Sequence, residues 1–165
     1  MDGAMRFEVF VYWTQKRGKN YMTFQLPDTA SPFGEQVARR LRDERLIWLT
    51  TVDAKGMPQP TPVWFLWDEA TSTFLIYSLA GAKRLEHLQQ NPNVALNFDG
   101  NGSGGNIIVF TGQARISSDD PLADKVPAYV EKYRDFITRS FSTPENFASR
   151  YSVALRVYPM AVRGH

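Results

Sequence analysis

The sequence predicts a mainly β protein with inserted helices, built as a small closed or partly closed barrel. Three observations predict it. Six or so short strand-like runs follow one another between turn signals. Helical stretches interrupt them at two points, which argues against a plain sandwich. No crossover helix separates the first three strands, and a parallel doubly wound sheet would need one. With 165 residues, 43% hydrophobic and 13% aromatic, the chain can bury one real core.

Residues 1–21 read as an N-terminal extension. Residues 7–13 are apolar and aromatic, and Lys16-Arg17-Gly18-Lys19 is basic, the reverse of the order in a secretory signal. The preferred reading is an extension upstream of a start at Met22, and the alternative is an extra strand that pairs with a partner chain. The barrel domain then covers residues 22–165.

Within that domain, Ser31-Pro32 opens a helix, with Ser at the cap and Pro at the first position. Val37 and Leu41 form its apolar side and the helix should end near Glu44. Residues 47–52 form the first strand, which turns at Asp53-Ala54-Lys55-Gly56. The second strand runs over residues 59–67 and the third over 73–78. A short helix begins at Ala80-Gly81-Ala82 and stops at Asn91-Pro92. Residues 94–98 alternate as a strand. The glycines between Asp99 and Asn106 suggest a phosphate loop, but no helix and no Lys-Ser or Lys-Thr follow, so a hairpin loop is expected. Residues 107–116 form a long strand in which Gly112 marks a bulge or barrel bend. Helices follow over residues 126–140 and from Thr143-Pro144, and residues 151–162 close the chain as a strand.

Composition narrows the function. No run is long enough for a membrane-spanning helix. The net charge of +2 is too small and dispersed for a nucleic-acid footprint. There is no cysteine and there are two histidines, His87 and His165, so no metal site and no protein nucleophile are expected. A cytoplasmic location fits best. If the chain is an enzyme, a cofactor carries the chemistry.

Two local oddities point to a ligand. Lys83 and Arg84 stand in the first turn of a helix, where the macrodipole and unpaired N–H groups disfavour cations. A bound anion reverses that argument, while two solvated surface charges are the plain alternative. Pro58, Pro60 and Pro62 stand two residues apart and remove three donors from one side of one strand. That strand lies at a sheet edge, at a bulge or against a non-protein partner. One phosphorylated planar ligand would satisfy both oddities.

Taken together, Gln59-Pro60-Thr61-Pro62-Val63-Trp64-Phe65-Leu66-Trp67-Asp68 and Tyr77-Ser78…Lys83-Arg84…Leu88…Asn91-Pro92 resemble the pyridoxamine-phosphate-oxidase-like split β-barrels, also called FMN-binding split barrels. More narrowly, with Leu26-Pro27-Asp28 and Tyr151-Ser152-Val153, they resemble the deazaflavin (coenzyme F-420)-dependent reductases of that superfamily. The resemblance covers residues 22–165. It implies a homodimer with the cofactor in a groove at the subunit interface. It implies that the phosphate lies near Ser78 and the Lys83-Arg84 segment, Arg84 standing where the family has Lys and His87 where it has Asn. Ring contacts are implied for Gln59, Pro60, Thr61, Pro62, Val63 and Trp64, with Tyr77 beside Ser78. The implied reaction is hydride transfer from a reduced deazaflavin to a small organic acceptor, in a pocket shaped by Trp64, Trp48 and the partner chain. An FMN-binding oxidoreductase and a non-catalytic flavin or deazaflavin carrier remain as alternatives.

Overall fold

The structure, a computed structural model, describes residues 8–10, 13–16, 19–22 and 24–165. Its framework is one antiparallel sheet built from β4 (Leu46–Val52), β5 (Pro58–Trp64), β6 (Leu66–Asp68), β7 (Thr73–Ser78), β8 (Asn93–Asn97), β9 (Ile108–Ser117) and β10 (Val153–Gly164), in the order β5-β4-β8-β9-β10-β7-β6. Nearer the N-terminus, β1 (Glu8–Phe10) pairs with the far end of β10, and β2 (Trp13–Lys16) pairs with β3 (Lys19–Met22). The extension thus adds a strand to its own chain. What else was expected of residues 1–21 lies outside the described residues.

The two ends of the sheet, β5 and β6, are consecutive in sequence and separated by Phe65 alone, so the sheet rolls up until its ends meet. The single strand expected over residues 59–67 is therefore two. It breaks because its halves hydrogen-bond to different neighbours, β4 on one side and β7 on the other. Tyr133 ties the break together. Its hydroxyl accepts from the Phe65 N–H at 2.7 Å and lies 2.7 and 2.9 Å from the carbonyls of Phe65 and Arg45. A second irregularity sits opposite Gly112, as expected there: the register of β10 against β9 shifts between Pro159 and Ala161. A Cβ at Gly112 would lie 2.1 Å from the Tyr158 carbonyl oxygen, so only glycine lets the strands approach at that bend.

Alternation along the strands fills the barrel. Ile47 and Leu49 of β4, Phe74 and Ile76 of β7, Leu96 of β8 and Phe110 of β9 join one apolar cluster with Phe65 and Phe98. Helix α1 (Pro32–Asp43) adds Phe33, Val37 and Leu41 to it. The Ser31 hydroxyl caps this helix by accepting from the Gly34 N–H at 3.0 Å. Strand β7 is buried at every position because both faces are covered. Its other face, Leu75 and Tyr77, packs under a helical layer of α3 (Pro127–Phe141) and α4 (Pro144–Arg150), which brings Tyr129, Tyr133, Ile137 and Phe147. A 3₁₀ turn at Ala123–Lys125 precedes that layer. Between β7 and β8, α2 (Lys83–Gln90) buries Leu85 and Leu88.

Arg156 of β10 fastens the barrel from one side. Its guanidinium reaches Asp68 at 2.8 Å, Asp120 at 2.8 and 2.5 Å and the Thr73 hydroxyl at 3.0 Å. The hydrogen bond from Arg156 holds the Asp120 carboxyl below its ordinary value. At Asp68, burial pushes upward, but hydrogen bonds from Thr71 and Arg156 outweigh it. Among the described residues, no helix is long and apolar enough to cross a membrane.

Candidate functional site

A cavity of about 210 Å³ opens where the end of β5, the end of β7, the start of α2 and the helical layer converge. Pro62, Val63 and Trp64 supply one wall; Tyr77, Ser78, Leu79, Ala82 and Arg84 supply the next; Tyr129, Phe141, Phe147 and Tyr151 close it. The sequence brings these together for local reasons. Strand β7 ends at Ser78, the chain turns through Leu79–Ala82, and α2 then begins at Lys83. The Ala82 N–H donates to the Leu79 carbonyl at 3.1 Å, and the Leu85 N–H to the Ala82 carbonyl at 3.0 Å. Ala82 offers no side chain to cap the helix. Its first N–H groups are therefore left open beside the cavity.

Arg84 is half-buried and forms no hydrogen bond or ion pair within the described residues. Burial pulls its guanidinium below the ordinary value, and the nearby Tyr151 pulls the other way. A cation placed there without a counter-charge is disfavoured twice, by desolvation and by the helix dipole. Ser78 is 1% exposed, and its hydroxyl oxygen has no hydrogen-bond partner among the described residues. An unpaired guanidinium, an orphaned buried hydroxyl and open helix N–H groups form a donor set that suits an anionic oxygen group.

Six of the ten residues singled out from sequence line this cavity: Pro62, Val63, Trp64, Tyr77, Ser78 and Arg84. Trp64 stacks on Tyr133 at 4.6 Å and on Phe147 at 5.3 Å. Tyr77 donates its hydroxyl to the Pro121 carbonyl at 2.7 Å, and burial, with Asp120 nearby, pushes its pKa up to about 12. Four do not line it. Lys83 faces solvent, and its Nζ pairs with Glu86 Oε1 at 3.0 Å, one helical turn on. The two cations thus part: Arg84 turns inward, and Lys83 fits the plain reading of a solvated charge. Pro60 and Thr61 lie along β5, which among the described residues pairs only with β4 and is thus an edge strand, one of the placements its prolines allowed. Gln59 bonds back to Asp53 at 3.1 Å and closes the β4–β5 turn. Trp48 does not line the cavity either; its indole N–H donates to Asp99 at 2.9 Å.

His87 is engaged elsewhere, with Nδ1 2.9 Å from the Thr51 hydroxyl of β4. Among the described residues no three His, Cys, Asp or Glu side chains cluster as a metal site would require. The helical-layer residues Tyr129, Phe141, Phe147 and Tyr151 were missed from sequence as site residues. The only available signal was the aromatic density of α3 and α4, which reads equally well as core.

A protein-family model described as Pyridoxamine 5'-phosphate oxidase matches residues 33–165. No curated protein matches the chain by sequence. Among solved structures, the chain is similar to conserved hypothetical protein Rv2991 from Mycobacterium tuberculosis at 18% identity and a TM-score of 0.60, covering 78% of this chain and 81% of that one. It is similar to General Stress Protein 26 from Bacillus anthracis at 20% identity and TM-score 0.58, covering 78% and 89%. It is also similar to HutZ, the heme storage protein from Vibrio cholerae, at 18% identity and TM-score 0.51, covering 76% and 89%. At these identities the structural likenesses show the shared fold.

Proposed function

The chain belongs to the pyridoxamine 5'-phosphate oxidase family, and on that premise we propose that it is an oxidoreductase working with a reduced deazaflavin, coenzyme F-420, on a small organic acceptor. The observation that carries this reading is Arg84, an unpaired, half-buried guanidinium beside the orphaned Ser78 hydroxyl at the open start of α2. These groups would hold the phosphate of the cofactor. Arg84 supplies charge and a planar donor fork, Ser78 one hydroxyl donor, and the first turn of α2 its backbone N–H groups. When bound, the deazaflavin would supply the hydride.

Positioning falls to the chain itself. The exposed edge of β5, with no N–H at Pro58, Pro60 or Pro62, offers a surface beside which a flat ring can lie without competing for ladder hydrogen bonds. Trp64, held between Tyr133 and Phe147, is a rigid wall at the end of that edge. The side chains around the cavity are aromatic or aliphatic apart from Arg84 and the hydroxyls, and such a site favours exclusion of water from a transferring hydride. FMN carries a phosphate too, and the same donors suit it, so FMN is the alternative cofactor. The likeness to a heme storage protein favours the other alternative, a carrier without turnover.

A homodimer belongs to the same reading. The outer face of the sheet carries an open groove lined by Val52, Pro58, Val94, Ala95, Met160 and Ala161, and Met57, Tyr158 and Met160 are exposed. An apolar face of that kind is suited to a second copy. Fluorescence titration of the protein with coenzyme F-420 and with FMN tests the function. The reading expects saturable binding of coenzyme F-420 that is tighter than binding of FMN; binding of neither would overturn it.

A further inference from the structure

The inner part of the cavity holds more than an anion site needs. Tyr129 is 0% exposed, and its hydroxyl, like that of Ser78, has no hydrogen-bond partner among the described residues. Burying a hydroxyl unpaired is costly, and native proteins nearly always satisfy such a group with protein, water or ligand. Tyr133, one helical turn further along α3, shows the satisfied case, since its hydroxyl bonds the Phe65 backbone. Tyr129 is the exception, and it lines the cavity.

The walls have a shape preference as well. Phe147 lies nearly parallel to Trp64 at 5.3 Å and 24°, to Tyr151 at 4.9 Å and 18°, and to Tyr129 at 6.0 Å and 23°. A flat ring is the shape that extends such a stack. A phosphate gains nothing from four aromatic neighbours. Size narrows the choice further. An apolar cavity of about 150 Å³ accepts benzene, whereas pockets for larger ligands run to about 300–1,000 Å³. At about 210 Å³ the cavity fits one substituted ring and excludes a three-ring system.

We propose that this cavity is the acceptor pocket and that it takes a single-ring aromatic compound bearing a hydrogen-bond acceptor, which the Tyr129 hydroxyl reads. The assignment of the pocket to the hydride acceptor rests on the function proposed above. Arg84 is partly exposed and Tyr129 fully buried, so the solvent side of the cavity is given to the cofactor phosphate and the inner side to the ring.

The test uses acetophenone, a single ring bearing a carbonyl acceptor, and toluene, a single ring with no acceptor, titrated calorimetrically into the cofactor-free protein. The wild type should bind acetophenone several-fold more tightly than toluene. Tyr129→Phe should weaken acetophenone about fivefold, the scale of one neutral hydrogen bond, and leave toluene unchanged. Its melting temperature should stay level or rise, because an orphaned hydroxyl has been removed. Ser78→Ala serves as the second variant and should also keep its melting temperature. Equal binding of the two compounds, no binding of either, or a Tyr129→Phe protein that melts lower would each overturn the proposal. The same sample titrated with coenzyme F-420 and FMN separates the two readings. Cofactor binding without an acetophenone site overturns the pocket assignment alone. An acetophenone site in a protein that binds neither cofactor overturns the hydride-transfer reading and, with it, the description of the pocket as an acceptor site.

Discussion

Two partly buried arginines in this molecule have opposite surroundings. Arg156 spends its donors on Asp68, Asp120 and Thr73, and its guanidinium is held well above its ordinary value, first by Asp120. Arg84, which lines the cavity with Ser78 at the end of β7, has no such partner among the described residues and is pulled below its ordinary value by burial. Burial alone does not distinguish a structural charge from a ligand site. A saturated donor set marks the first; an unsatisfied one, beside an orphaned hydroxyl and an open helix start, marks the second. The tyrosines of α3 repeat the contrast: the Tyr133 hydroxyl bonds the backbone at the barrel's closure, and the Tyr129 hydroxyl has no partner among the described residues.

If the contrast is right, the largest loss of stability comes from Arg156→Met. It leaves two carboxylates without their cation in a low-dielectric setting and should cost about 3 kcal/mol in chemical denaturation. The pH dependence follows from the sign of the carboxylate shifts. Asp68 and Asp120 are both lowered from 3.8 in the fold. Their contribution is complete above that ordinary value and is lost as pH falls through the lower folded values. The gap between wild type and Arg156→Met should therefore close in acid, below about pH 4. Tyr133→Phe comes next. It strips the Phe65 N–H of its partner at the closure and should cost about 2 kcal/mol; a neutral result would mean that β5 and β6 meet without that tie.

A third cation, Lys132, refines the comparison. Its Nζ stands 3.8 Å over the Phe65 ring and donates to the Leu41 carbonyl at 3.3 Å, with no carboxylate paired to it among the described residues. Burial lowers its pKa from 10.5 to about 8. The folded state therefore releases the proton before the unfolded chain does, and the penalty is full below about pH 8 and fades up to about 10.5. Any stability advantage of Lys132→Met over wild type should accordingly shrink across that window, and a difference in melting temperature that is flat from pH 8 to 10.5 would contradict the shift. Lys83→Ala closes the series. Its pair with Glu86 is solvated, so stability should change by less than about 0.5 kcal/mol and cofactor affinity should barely move.

Much of the fold was legible because the local signals were unambiguous. Ser31-Pro32 fixed the start of α1, the alternation of residues 94–98 gave β8, and Asn91-Pro92 ended α2. The three prolines narrowed β5 to an edge, a bulge or a non-protein partner, and the structure shows the edge. The break at Phe65 was not legible, since residues 63–67 run through it as an unbroken apolar and aromatic stretch and its interruption depends on a tyrosine 68 positions away. The site divided in the same way. The pair Lys83-Arg84 was legible from the helix start, while Ser78 came only from the family resemblance. That Arg84 rather than Lys83 faces inward depends on how α2 rotates to bury Leu85 and Leu88. Tyr129, Phe147 and Tyr151 reach the cavity only through the packing of α3 and α4, and no local pattern separates an aromatic cavity wall from an aromatic core.

The central claim is that Arg84 is kept unpaired for an anionic cofactor. Fluorescence titration of wild type and Arg84→Ala with coenzyme F-420 and FMN, alongside their melting curves, tests it most directly. Loss of one charged hydrogen-bonding group is worth about 1.5–3 kcal/mol, so the dissociation constant of the bound cofactor should rise roughly 10- to 150-fold. The melting temperature of Arg84→Ala without ligand should hold or rise, since an uncompensated charge has been removed. Unchanged affinity, or a variant that unfolds, would show that Arg84 serves the fold and that the contrast with Arg156 is not one of function.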